Sequence, residues 1–125
     1  MATQTVTLET IESTINDNSI VILDFWADWC GPCKMFAPTF EAASDKHTDI
    51  VFGKIDTQEQ RQLAGQLQIR SIPTLMVFRD QIMVFNQAGA LPPAAFEDLI
   101  TQVKALDMDE VRAEIAKQQD DTAEA

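Results

Sequence analysis

Ile20-Val21-Ile22-Leu23-Asp24-Phe25-Trp26 is a nearly unbroken apolar run, of the length and composition that suit a strand covered on both faces in the middle of a sheet. Asp17-Asn18-Ser19 separates it from what precedes. It leads into Trp26-Ala27-Asp28-Trp29-Cys30-Gly31-Pro32-Cys33, after which Cys33, Phe36, Phe40 and Ala43 recur at helical spacing to about Asp45. Strand, loop and helix thus set the chain's two thiols three residues apart at a helix start. Pro38 removes one hydrogen bond from that helix and should bend it without ending it, because the apolar spacing continues beyond.

The same alternation of short apolar runs and helical periodicity extends along the chain and predicts an α/β domain. A weak strand is expected around Val6–Leu8, and a short helix over Glu9–Asn16 with Ile11 and Ile15 on one face. Ile50–Asp56 reads as a second buried strand, followed by a polar helix over Gln58–Leu67 that inserts Leu63 and Leu67. Thr74–Arg79 and Ile82–Asn86, joined by a tight Arg79-Asp80-Gln81 connection, suit an antiparallel hairpin. Gly89 falls in a loop. Pro92 and Pro93 suit a helix start, with Phe96, Leu99, Ile100, Val103 and Leu106 along one face. Asp107-Met108-Asp109-Glu110 resembles a capping box for a further helix over Asp109–Gln118, with only Met108, Val111 and Ile115 to dock and the last residues irregular.

A chain of 125 residues suits one compact domain with a core that needs no disulfide staples. Its 20 acids against nine bases give a formal charge of −11, which argues against binding nucleic-acid phosphates and mainly aids solubility. Seven of those acids, against two bases, fall between Asp107 and the end. That segment is expected to be a solvated, partly helical appendage. No apolar run approaches the roughly 20 residues that span a bilayer. The amino-terminal residues Met1 to Thr7 carry no secretion pattern, so a soluble cytoplasmic protein with no membrane partner is expected.

Two thiols at this spacing can exist as a dithiol or close into a small-ring disulfide. The first sits where unpaired helix N–H groups and the helix dipole favour an anion, which raises its thiolate fraction. Half a zinc site is the competing reading, but zinc wants four ligands and the chain adds only one distant histidine, His47, taken as solvated. No metal is expected. Asp24 alternates with Ile22 and Trp26 on one strand face, so its carboxylate is desolvated and its pKa raised, as suits a group that takes a proton from a sulfur and returns it. Lys54 alternates with Ile50 and Phe52, where a bare ammonium is costly, and an Asp24–Lys54 pair is expected. Ile72-Pro73 is the last element. If it faces the dithiol, the Ile72 backbone could pair with an extended substrate by strand addition.

From about Thr5 to Leu106 the chain resembles the thioredoxin family. The resemblance runs through Asp24-Phe25-Trp26-Ala27-Asp28-Trp29-Cys30-Gly31-Pro32-Cys33-Lys34, Lys54-Ile55-Asp56, Ile69-Arg70-Ser71-Ile72-Pro73-Thr74-Leu75 and Gly89. It implies a thioredoxin fold, a central mixed sheet flanked by helices, as a domain over residues 1–106 with an acidic extension over 107–125. It also implies a thiol–disulfide oxidoreductase that reduces protein disulfides. Cys30 would be the exposed nucleophile and Cys33 the shielded resolving thiol, forming the redox disulfide between them. Asp24 would move the proton of Cys33 with Lys54 setting its pKa, and a cis Pro73 would stack on the dithiol. Trp29, Gly31, Pro32, Ser71, Ile72, Gly89 and Ala90 would form a shallow docking surface. The implied partners are disulfide-containing client proteins and a thioredoxin reductase, the protein acting as a monomer. No Gly-rich dinucleotide fingerprint is present, so no cofactor of its own is expected. The alternative is a redox-independent binding module that uses the same surface. The chain departs from the family pattern at Gln68 and Gln81, turn positions that commonly hold Gly, and at Thr57, commonly aliphatic and near the docking surface.

Overall fold

Strand β2 (Ile20–Trp26) lies in the middle of the sheet, between β3 (Val51–Asp56) on one side and β4 (Thr74–Arg79) on the other. The computed structural model describes residues 2–124. Strand order is β1 (Gln4–Thr5), β3, β2, β4, β5 (Ile82–Ala88). The first three run parallel, and β4 and β5 complete the sheet antiparallel. Helices α1 (Ile11–Asn16), α2 (Gly31–Lys46), α3 (Arg61–Gln66), α4 (Pro93–Ala105) and α5 (Met108–Glu124) complete the fold. This is the α/β thioredoxin fold expected from the sequence. None of these helices is long and apolar enough to cross a membrane.

Alternation along β2 divides the core. Ile20 and Ile22 point to one face, where they pack with Phe36 and Phe40 of α2, Phe52 of β3 and Phe96 of α4. Val21, Leu23 and Phe25 point to the other, against Val6, Ile55, Leu63 and Met76. The phenylalanines interlock, with Phe36–Phe96 and Phe40–Phe52 ring centroids 5.3 Å apart in edge-to-face arrangement, a geometry that adds about 0.5–1.5 kcal/mol per pair beyond area burial. Gly53 lets Val6 approach the sheet. A Cβ there would sit 2.7 Å from Val6 Cγ2 and 2.9 Å from a Leu23 methyl.

Several boundaries differ from expectation. The first strand pairs at Gln4–Thr5 with Gly53 and Lys54, earlier than the expected Val6–Leu8; the Val6 N–H still donates to the Lys54 carbonyl at 2.9 Å while its side chain enters the core. Helix α1 starts at Ile11, not Glu9, since the Thr7 N–H donates to Thr10 Oγ1 and closes a turn first. Helix α3 starts at Arg61, not Gln58, because Asp56 Oδ1 accepts from the Gln58 and Glu59 N–H groups and holds them in a turn. Helix α2 runs through Pro38 to Lys46.

Three residues other than glycine, in two connections, hold backbone at positive φ: Gln68 (58°), Asp80 (52°) and Gln81 (71°). Asp80 and Gln81 are the two central residues of the hairpin between paired Arg79 and Ile82, a turn that demands positive φ at both. Arg79 does further work from that corner. Its guanidinium donates to the carbonyls of Val103 (2.7 Å), Lys104 (3.1 Å) and Leu106 (2.9 Å), closing the open end of α4.

Two expectations are corrected here. His47 is not solvated. Its side chain, 14 % exposed, contacts Glu97 Oε2 at 2.9 Å through Nε2 and Lys104 Nζ at 3.3 Å through Nδ1, which ties the end of α2 to α4. The extension is not a free appendage either. Asp107 Oδ1 accepts from the Asp109 and Glu110 N–H groups and starts α5. Met108 is buried, Val111 and Ile115 are half-buried over Ile82, Met83 and Val84, and Arg112 reaches Asp80 at 3.6 Å. The helix continues to Glu124, past the expected end at Gln118, and Ala125 lies outside the described residues.

Candidate active site

Cys30 and Cys33 are joined as a disulfide at the mouth of α2, with Cα atoms 5.2 Å apart. Cys30 is the N-cap of the helix, in extended conformation, and its Sγ accepts from the Cys33 N–H at 3.2 Å. Pro32 occupies the first turn, where a missing N–H costs nothing. A donor and a helix terminus aimed at Sγ favour its anionic form once the pair is reduced.

Cys30 was expected to be exposed, and in the disulfide it is not. It is 4 % exposed and Cys33 3 %. The Ile72 carbonyl stands 3.8 Å from Cys30 Sγ. The Ile72–Pro73 bond is cis, as the resemblance implied. The Gly89 N–H donates to the Pro73 carbonyl at 2.8 Å, which ties the Gly89-Ala90 segment to the Ile72-Pro73 segment beside the disulfide. Around them Gly31, Pro32, Ser71, Gly89 and Ala90 are exposed and Ile72 half-buried, while Trp29 is 67 % exposed. Thr57 has its hydroxyl on the Trp26 carbonyl at 3.0 Å. Sequence reasoning missed what flanks this surface: Trp29, Thr57, Ile69 and Ile72 line a groove of about 480 Å³ together with Arg61 and Arg70. No motif marks Arg61, since its place beside Trp29 depends on where α3 begins.

Behind Cys33 lies a second, smaller cavity of about 100 Å³, lined by Asp24, Trp26, Asp28, Cys33, Lys34, Ala37 and Lys54. Asp24 is 1 % exposed and, among the described residues, neither of its oxygens meets a hydrogen-bond donor and Trp26 Nε1 meets no acceptor. The cavity has room for a few water molecules to serve these groups. Burial pushes the Asp24 pKa up to about 7, against the smaller opposing pull of Lys54. A carboxyl poised there exchanges protons readily at neutral pH.

The expected Asp24–Lys54 ion pair is corrected. The two residues face each other in the β2–β3 register, but Lys54 Nζ lies 3.9 Å from Glu41 Oε1 of α2 and 5.0 Å from the centroid of the Trp26 ring. Glu41 offers a charge partner at the solvent side, where an ammonium keeps part of its hydration, whereas full contact with Asp24 would bury both charges. Lys54 therefore acts on Asp24 through space. Glu41 fell on the polar side of α2 in the sequence pattern and carried no signal of this role. Among the described residues no cluster of His, Cys, Asp and Glu is placed to hold a metal ion.

A family model described as Thioredoxin matches residues 2–105. The chain is 52 % identical over 118 residues to the "Putative thioredoxin 2" of Streptomyces coelicolor, covering 94 % of this chain and 88 % of that one. Among solved structures it is similar to a mutant thioredoxin from Halobacterium salinarum, with TM-score 0.76, 36 % identity, and 82 % and 91 % of the two chains covered. A chain from a study of thiol resolution in yeast mitochondrial 1-Cys peroxiredoxin via glutathione and thioredoxin systems matches at TM-score 0.74 and 28 % identity, covering 81 % and 95 %.

Proposed function

Because the chain belongs to the thioredoxin family and is a thiol–disulfide oxidoreductase with a redox-active Cys30–Cys33 disulfide, we propose that it reduces client protein disulfides with Cys30 attacking and Cys33 resolving. The observation that carries this division of labour is the hydrogen bond from the Cys33 N–H to Cys30 Sγ at the head of α2, which marks Cys30 as the sulfur held as thiolate.

In the reduced protein Cys30 thiolate attacks one client sulfur. A Cys30–client bond forms, the client S–S bond breaks, and the other client sulfur leaves as thiolate. Asp24, as carboxylate, takes the Cys33 proton through water in the cavity they share. The Cys33 sulfur then attacks Cys30, re-forms the Cys30–Cys33 disulfide and expels the second client thiolate. Two electrons pass from the dithiol to the client, and the proton held by Asp24 returns to a departing sulfur. Lys54 limits how far burial can raise the Asp24 pKa. Pro73, with Trp29, Gly31, Pro32, Ser71, Ile72, Gly89 and Ala90, presents the client chain to the sulfurs, and the Ile72 backbone offers it a strand-like partner. Recharging falls to a thioredoxin reductase, and a peroxiredoxin is a fitting client, since the similar yeast chain comes from such a system. We place this machinery in residues 1–106 of a cytoplasmic monomer.

The test is direct. Reduced protein should cleave insulin disulfides and be regenerated by NADPH and a thioredoxin reductase, and Cys33→Ser should accumulate mixed disulfides through Cys30. Trapping through Cys33 in a Cys30→Ser variant at equal yield would reverse the roles.

A further inference from the structure

Beside the disulfide lies a groove whose charged lining residues are both cations, in a chain whose formal charge is −11. The groove that begins at Trp29 and Ile72 has Arg61 and Arg70 as the charged side chains of its lining, and no acid lines it. Both are exposed, and among the described residues neither guanidinium has an ion pair or hydrogen bond. Of the other cations, Lys46 pairs with Glu97, Lys54 with Glu41, Lys104 with Asp49 and Arg112 with Asp80, Arg79 donates to the α4 carbonyls, and Lys34 and Lys117 lie outside the groove lining. The groove abuts the reacting sulfur, because the Ile72 carbonyl at its edge lies 3.8 Å from Cys30 Sγ.

We propose that this groove takes the client segment next to the cysteine under attack, and that Arg61 and Arg70 select an aspartate or glutamate in that segment. The proposal rests on the reductase reading above and names the client chemistry that reading leaves open. A guanidinium presents a planar fork of donors that matches a carboxylate, and the apolar walls supplied by Trp29, Ile69 and Ile72 thin the water that would compete for it. The strongly acidic body repels acidic segments at long range. Two unengaged cations in one groove therefore reverse the local preference just where a client chain must lie.

The experiment uses three disulfide-linked peptides of one sequence, with Glu, Gln or Lys two to four residues from the cysteine, reduced by the full chain with NADPH and a thioredoxin reductase. We expect kcat/KM in the order Glu, Gln, Lys, with the first two separated roughly three- to tenfold at low salt. High salt should compress that ratio. In an Arg61→Gln, Arg70→Gln double variant the Glu-to-Gln ratio should fall to about one, and because it is a ratio within one protein, partial unfolding does not alter it. Equal rates for the Glu and Gln peptides in the natural chain, preference for the Lys peptide, or a ratio that survives the double variant would each overturn the proposal while leaving the reductase reading intact. A protein that reduces none of the peptides would overturn both.

Discussion

Lys54 holds its ammonium 3.9 Å from Glu41 and leaves its register partner Asp24 uncontacted. Glu41 thereby shares the one cation that opposes the desolvation of Asp24. Replacing Glu41 by Gln frees Lys54 to act on Asp24 undivided, and the carboxyl should ionise at lower pH. The carboxylate is the form that accepts the Cys33 proton, so resolution speeds up as pH rises through the Asp24 pKa of about 7. In Glu41→Gln the acid limb of the rate profile should move down, by up to about one pH unit. Lys54→Met should move it up. An upward shift in Glu41→Gln would contradict the arrangement.

Asp24 also makes stability depend on pH. Its folded pKa of about 7 exceeds the ordinary 3.8, so between those values the folded state binds a proton that the unfolded state does not. Stability therefore falls as pH rises from about 4 to 7, then levels off. Asp24→Asn removes this loss. It should leave stability at pH 4 nearly unchanged and raise it at pH 9 by about 2–4 kcal/mol, read from urea unfolding of the oxidised protein. A gain of equal size at both pH values would mean that shape, not charge, is responsible.

The difference between Asp24 and Glu41 shows where the sequence is informative. Asp24 interrupts an apolar run, and an ionisable group at an interior strand position has to be buried whatever the neighbouring elements do. The two thiols and cis Pro73 were legible by resemblance, through fixed local spacings. Glu41, Arg79 and His47 sit at polar positions of their own elements, and their partners come from elements distant in sequence, while Arg61 owes its place to the groove it lines with Trp29. Helix α3 starts three residues later than periodicity suggests because of the Asp56 side chain, and that offset is part of what decides which arginine faces Trp29.

Gln68 and Gln81, at φ 58° and 71°, occupy turn positions where the family commonly has Gly. A Cβ in left-handed backbone costs roughly 1–2 kcal/mol, partly offset by the greater unfolded-state freedom of glycine. Gln68→Gly and Gln81→Gly should each stabilise by about 0.5–1 kcal/mol, additively, because the two turns share no partner. Gln81→Val should do the reverse. A denaturant midpoint that falls in both glycine variants would show that the side chains hold these turns.

Gly53 is required by contact, not by dihedral angle. Its Cβ would press on Val6 Cγ2 at 2.7 Å, and Val6 is a stiff β-branched side chain in a buried site. Gly53→Ala should cost about 1–3 kcal/mol, and Val6→Ala in the same chain should return part of it. Failure of the double change to recover stability would place the strain elsewhere.

Helix α5 is proposed as an accessory to the redox domain, and its docking separates two properties that the appendage reading joined. Met108 is buried, Val111 and Ile115 line one cleft with Ile82, Met83 and Val84 of β5, and Arg112 anchors the helix to Asp80 at the hairpin, all far along the sheet from the Thr74 end of β4 that follows Pro73. Ending the chain after Leu106 keeps the carbonyl that Arg79 caps but uncovers this apolar strip. The truncated protein should lose about 1–2 kcal/mol, with a melting temperature lower by several degrees, while kcat/KM for insulin reduction at 25 °C stays the same. Arg112→Ala should account for a minor share of the loss, as expected of a half-exposed ion pair. A truncated chain that melts like the whole one would leave the helix undocked in solution, and one that melts normally but reduces slowly would tie α5 to the chemistry itself.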